Sequence, residues 1–214
     1  MGFLSEDRLF PTEPTARLLA RALYAQVKDA PIISPHGHTD PQWFAQNEPF
    51  EDVAKLFITP DHYVFRMLHS QGVALEDLGV PRADAGAVER DSRKIWRLFA
   101  RHYRLFAATP SRMWIDHALQ DLFGLDQRLS PETADAAFDA INEKLASPAF
   151  RPRALFERFN LEVLATTESA LDDLAHHRRI RDSGWQGRVI TTYRPDAVID
   201  PDFDGFIGNV EAFC

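Results

Sequence analysis

The stretch "LEVLATTESALDDLAHHRRIRDSGWQGRVITTYRPD", residues 161–196, decides the fold class. "LEVLATT" is an apolar, β-branched run of strand length. "ESALDDLAHHRRIRDSG" reads as a helix closed by Gly184, and "GRVITTYRPD" as a second strand that ends in a turn. Two strands joined through a helix at this spacing form a βαβ unit, which places them parallel and close in one sheet. A parallel sheet needs cover on both faces.

Working outward, Pro31 followed by "IIS" begins an earlier, short strand. Before it, "PTEPTARLLARALYAQVKDAP" predicts a helix with Thr12 as its cap and Pro14 in its first turn. Leu19, Leu23 and Val27 share one face of it. The region between the first and second strands predicts helices only. "FITPDHYVFRMLHSQGV" starts with Thr59 as cap and Pro60 as first helical residue, and Gly72 follows its end. "DAGAVERDSRKIWRLFARHYRLFAATP" is helical by spacing. "SRMWIDHALQDLFGL" presents Met113, Trp114, Ala118, Leu119 and Leu122, and "SPETADAAFDAINEKLASP" starts at Ser130. The organisation expected is a helix and first strand over 1–41, a helical insertion over 42–160, and two further strands with their helix over 161–214. Three strands make a poor complete sheet, and the final "DGFIGNVEAFC" reads as an interrupted helical run. The expectation is an α/β protein: the opening portion of a larger sheet or barrel, with a helical insertion after its first strand.

Composition excludes some classes of function. A formal net charge of −8 argues against a nucleic-acid partner. The single cysteine, Cys214, allows no internal disulfide, so a cytoplasmic location is expected. No apolar run approaches membrane-spanning length, and the first residues lack the pattern of a signal peptide, so no membrane partner is expected either.

The chemistry-bearing residues cluster at strand ends. His36 and His38, in "IISPHGHTDP", stand two apart where the first strand runs out. On a strand such residues point the same way, and the carboxyl end of a parallel strand is where barrel active sites sit. Paired imidazoles suit a divalent metal such as zinc, or a substrate that needs both donors and acceptors. His62 and Tyr63 fall in the first turn of a helix, with Arg66 one turn on. They read either as acid–base or polar-binding groups, or as a surface histidine and a packed ring. Arg194 ends the last strand. It reads equally as a fork for a carboxylate or as a partner of Asp196 in the turn. His176 and His177 read as part of a solvated, charged helix face, and His117 as a packing or polar-contact residue that could also reach a site.

"PIISPHGHTDP" followed by "LFITPDHYVFRMLHSQGV" resembles the opening of uronate (glucuronate) isomerases, a family of the amidohydrolase superfamily of (β/α)8 barrels. "WIDHALQDLFGL", "INEKLASPAFRPRALFERFNLEVLATTESALDDL" and "TTYRPDAVIDPDFDGF" extend the resemblance, in order, over nearly the whole chain. "TTESALDDL" departs from the family's more usual Thr-Thr-Asp-Asp-Pro. Family members also run well beyond this chain, and their later strands supply another His and an Asp followed closely by an Arg.

The resemblance implies a barrel of amidohydrolase type, of which this is the N-terminal part. It implies that His36 and His38 line the site and can bind one divalent metal, zinc-like and not necessarily essential. His62 and Tyr63 would face the sugar, and Arg194 would contact the substrate. The implied reaction is aldose–ketose isomerisation of hexuronates by proton transfer through an enediol, with the base outside this chain. The implied partner is a small uronic acid, and the full-length protein is expected to be a homo-oligomer. Two other readings stay open: a metal-dependent hydrolase on the same scaffold, which His-x-His permits, and a non-catalytic binding module.

Overall fold

Three strands form one parallel sheet in the order β1-β2-β3, where β1 is Ile32–Ser34, β2 is Leu161–Ser169 and β3 is Arg188–Arg194. The computed structural model describes residues 2–214. The helices in chain order are α1 (Pro14–Val27), α2 (Pro41–Gln46), α3 (Val53–Phe57), α4 (His62–His69), α5 (Ser92–His102), α6 (Pro110–His117) and α7 (Ala134–Leu145). They continue with α8 (Pro152–Arg158), α9 (Ala175–Asp182), α10 (Asp196–Ile199) and α11 (Phe206–Phe213). Two compact units result. One holds the residues up to Arg21 with Pro49–Phe150, and the other holds Ala22–Glu48 with Arg151–Cys214.

The first unit is helical. Asp52, Asp61 and Asp91 each precede a helix and accept hydrogen bonds from its first free amides, which fixes where α3, α4 and α5 begin. Its core is an aromatic row. Trp96, Phe99, Tyr103 and Phe106 are all buried, with the Phe99 and Tyr103 rings 5.1 Å apart. The Trp96 indole N–H donates to the Ala134 carbonyl at 2.8 Å, so its one polar atom is satisfied where α5 meets α7.

The second unit carries the sheet. The register pairs Thr166 with Thr191, Thr167 with Thr192 and Ser169 with Arg194. One face packs Phe44 and Ala45 of α2, Phe156 of α8 and Ile180 of α9 against Leu164, with Trp185 and Val189 at the margin. Trp185 stacks on Phe44 at 5.9 Å and meets Phe156 edge-on at 5.1 Å.

Several boundaries differ from the sequence reading, each for a local reason. Glu13, not Thr12, caps α1, accepting from Thr15 and Ala16 amides. Asp61, not Thr59, caps α4. The Thr59 hydroxyl instead donates to the Leu78 carbonyl at 2.9 Å. The helix expected from residue 84 begins only at Ser92, after Ala85 takes a left-handed φ of 55° and Asp91 caps. The helix expected from residue 168 begins at Ala175. β2 runs on to Ser169, and Leu174 turns left-handed at φ 53° before α9. α7 starts at Ala134 rather than near Ser130, because Ser130 and Thr133 close a turn on each other. In α6 and the π-helical turn after it, Ile115, Asp116 and Leu119 are buried while Met113 and Trp114 are exposed. Leu19, Leu23 and Val27 of α1 are also exposed.

Candidate active site

His36 and His38 lie just beyond β1, which ends at Ser34. Strand alternation therefore does not align them as the sequence suggested. The loop does. Their Nε2 atoms approach to 3.2 Å and their rings stand nearly perpendicular, 72° apart with centroids at 5.1 Å. Two nitrogens bound about 2.0–2.1 Å from one tetrahedral ion stand roughly 3.3 Å apart, so the pair already has the bite of a metal chelate. The same separation lets one imidazole donate a proton to the other. Among the described residues no group of three or more His, Cys, Asp or Glu side chains is placed to hold a metal.

The loop is held by the sheet. A Cβ at Gly37 would meet the Ala165 carbonyl oxygen at 3.4 Å, an ordinary packing distance, so the loop lies directly against β2 there. The Thr167 hydroxyl of β2 donates to the Gly37 carbonyl at 3.4 Å, and the Thr192 hydroxyl of β3 to the Pro35 carbonyl at 3.2 Å. Downstream, the Asp40 carboxylate caps α2 by accepting from the Gln42 amide at 2.8 Å.

Arg194 closes β3, opposite Ser169 and two residues beyond Thr192, so it projects from the sheet face that carries Thr167 and Thr192. Among the described residues it makes no ion pair with Asp196, which starts α10. His62 and Tyr63 belong to the other unit. They are the first two residues of α4, with ring centroids 4.2 Å apart and Tyr63 exposed.

The opposite sheet face holds a polar network that the sequence reading missed. Glu168 is buried there and accepts a hydrogen bond from the Thr191 hydroxyl. His177 Nε2 lies 2.9 Å from the Thr166 hydroxyl and 3.8 Å from the Glu168 carboxylate. His176 and His177 are therefore not a solvated face: both Nδ1 atoms are buried. His117 makes the polar contacts expected of it, to Asp121 at 2.5 Å and Arg8 at 3.2 Å. The available signal was the doubled threonine in each strand, "TT" at 166–167 and 191–192, where valine would serve a strand as well.

Parallel strands joined through helices, with two imidazoles just past the carboxyl end of β1 and an arginine closing β3, define an α/β protein with polar groups at the end of the sheet where such folds bind ligands. The family model for glucuronate isomerase matches residues 1–213, and the chain belongs to that family. A uronate isomerase of Mesorhizobium japonicum is 63% identical over 205 residues, covering 96% of this chain and 44% of the relative. One of Rhizorhabdus wittichii is 60% identical over 208 residues, covering 97% and 43%. The crystal structure of glucuronate isomerase from Caulobacter crescentus superimposes with a TM-score of 0.93 at 55% identity, over 98% of this chain and 44% of that one. Uronate isomerase from Thermotoga maritima gives 0.85 at 28% identity, over 99% and 44%. The chain thus spans less than half the length of these relatives.

Proposed function

We propose that this chain is the N-terminal part of an isomerase that interconverts D-glucuronate with D-fructuronate and D-galacturonate with D-tagaturonate. The observation that carries the proposal is the convergence of His36 and His38 to 3.2 Å in a chain matched along its length by uronate isomerases. In this proposal β1, β2 and β3 are the first strands of a (β/α)8 barrel, and residues 42–160 are an insertion after the first. The intact enzyme is cytoplasmic and forms a homo-oligomer.

The proposed reaction moves a proton between C2 and C1 through an enediol. His36 and His38 would hold one divalent ion, and their two convergent imidazole nitrogens are a donor set that fits it. When bound, such an ion supplies positive charge that polarises the carbonyl and hydroxyl of the substrate. The imidazoles themselves can hold those oxygens by hydrogen bonds, so the enediol route does not depend on the ion. Arg194 would grip the C6 carboxylate with its planar fork, since no ion pair to Asp196 engages it. His62 and Tyr63 are assigned to sugar-facing roles from the family's His-Tyr motif alone, with Tyr63 donating to the carbonyl oxygen. The base that removes the C2 proton is not assigned within this chain.

The test is to incubate the native polypeptide that carries this chain with D-glucuronate in D2O and follow ketose formation and deuterium entry by NMR. Entry of solvent deuterium at C1 of the ketose supports the enediol route. Ketose formed with its original hydrogen fully retained favours a shielded proton transfer or a hydride route instead. Hydrolysis abolished by a chelator, with no sugar isomerised, supports a hydrolase instead.

A further inference from the structure

Between the last ladder residue of β1, Ser34, and the cap of α2, Asp40, the chain crosses the carboxyl end of the sheet carrying both site imidazoles. Histidine pairs on such a loop hold a fixed bite only if the backbone between them is fixed. Two observations bear on what fixes it. The carbonyls on either side of His36, those of Pro35 and Gly37, each accept a hydroxyl hydrogen bond from the sheet, at 3.2 and 3.4 Å. The donors, Thr192 and Thr167, are direct neighbours in the β2–β3 register. Their partners in each doubled threonine, Thr191 and Thr166, face the other way and serve Glu168 and His177. A strand needs only a β-branched residue at these positions. A hydroxyl is distinguished from valine by the bonds it makes.

We propose that Thr167 and Thr192 are positioning residues: a cross-strand pair of hydroxyls that clamps the backbone around His36 and so sets the separation of the His36 and His38 imidazoles. The proposal rests on the assignment of these two histidines as a binding pair. It assigns Thr167 and Thr192 no contact with substrate. They act through the loop, as the outer-shell groups of metal sites act through the ligands they orient. Bonds of 3.2 and 3.4 Å are long for hydroxyl donors, so the clamp sets a position without rigidly locking it.

The test uses the native polypeptide that carries this chain, its doubly substituted variant Thr167→Val/Thr192→Val, the matching Thr→Ser pair, and Thr191→Val as a control on the opposite face. Cobalt(II) alone is the probe, its affinity read from its visible absorption on titration. The nuclear Overhauser contact between the His36 and His38 rings is measured in the metal-free protein. The valine pair is expected to weaken cobalt binding by roughly 10-fold or more and to lose the ring contact. The serine pair is expected to restore both, and Thr191→Val to leave both unchanged.

Wild-type affinity and an intact ring contact in a folded valine pair overturn the proposal. If the wild type binds no cobalt, the metal assignment fails on its own account, and the ring contact still decides the clamp. If the valine pair does not fold, Thr192→Val alone replaces it, since Thr192 is only half-buried. Retention of the ring contact in that single variant then counts against the clamp.

Discussion

Removing one hydroxyl, Tyr103→Phe, gives a direct test of how the helical unit carries a buried charge. Asp116 is buried in that unit, and its carboxylate accepts from the Tyr103 hydroxyl at 2.8 Å and from Arg112 Nε at 2.8 Å, with Arg128 at 3.6 Å. The Arg112 guanidinium also lies 3.9 Å from the Tyr103 ring centroid. Phenylalanine keeps the ring and its packing but leaves the carboxylate one donor short. A hydrogen bond to a charged group contributes about 1.5–3 kcal/mol, and Arg112 remains in place, so a loss near 2 kcal/mol is expected at pH 7. The pH dependence separates this from a packing effect. Burial, then the neighbouring Asp116 charge, raises the Tyr103 pKa well above that of a free phenol. Between the unfolded pKa of about 10 and the higher folded value, the folded state holds one more proton than the unfolded state. The contribution of Tyr103 is therefore complete below pH 10 and falls by about 1.4 kcal/mol per unit above it. Urea unfolding of both proteins from pH 7 to 11 should show two curves that converge above about pH 10. A loss under about 0.5 kcal/mol at pH 7, or curves that stay parallel to pH 11, would refute the account.

Other expectations follow from the same contacts. Asp91→Ala removes the side chain that accepts from the Arg93 and Lys94 amides, and should cost about 1 kcal/mol in urea unfolding. Phe156→Ala empties a buried position under α8 and should cost roughly 3–5 kcal/mol, read as a lowered unfolding midpoint. His36→Ala leaves one imidazole of the pair, so cobalt binding by the chain should fall below detection while its melting temperature holds, because His36 is exposed. Under the proposed isomerase reading, Arg194→Lys keeps the charge and loses the planar fork, so in the native polypeptide it should raise KM for D-glucuronate more than it lowers kcat.

Much of the fold was legible because the two periodicities are distinct. β2 and β3 are apolar, β-branched runs separated by a charged helix, and parallel pairing follows from that spacing alone. Boundaries were less legible where two residue types compete for one job. Thr59 and Asp61 both suit a cap. The carboxylate reaches two amides, while the threonine has a better use bonding the Leu78 carbonyl across 19 residues. Likewise, periodicity carried the helix guess at 168–184 back into β2, because nothing local announces that Leu174 will take a positive φ. Amphipathic spacing also said which residues share a face without saying whether that face is covered. Leu19, Leu23 and Val27 do share one, and all three are exposed.

The site was half legible for a related reason. His-Gly-His at a strand end is a local pattern, and it singled out the two imidazoles as candidates while assigning their alignment to the wrong cause. Strand parity would have aligned them had β1 continued to residue 38, but it stops at Ser34. Their convergence depends instead on groups 130 and 157 residues away in sequence, Thr167 to Gly37 and Thr192 to Pro35. No single-segment pattern reports such a contact. The repeated Thr-Thr carries part of it: each pair sends one hydroxyl to each face of the sheet, one toward the Glu168–His177 network and one toward the histidine loop. A strand that spends hydroxyls on both faces, where valine would satisfy the backbone, is marked in the sequence as a strand whose neighbours must be held in place.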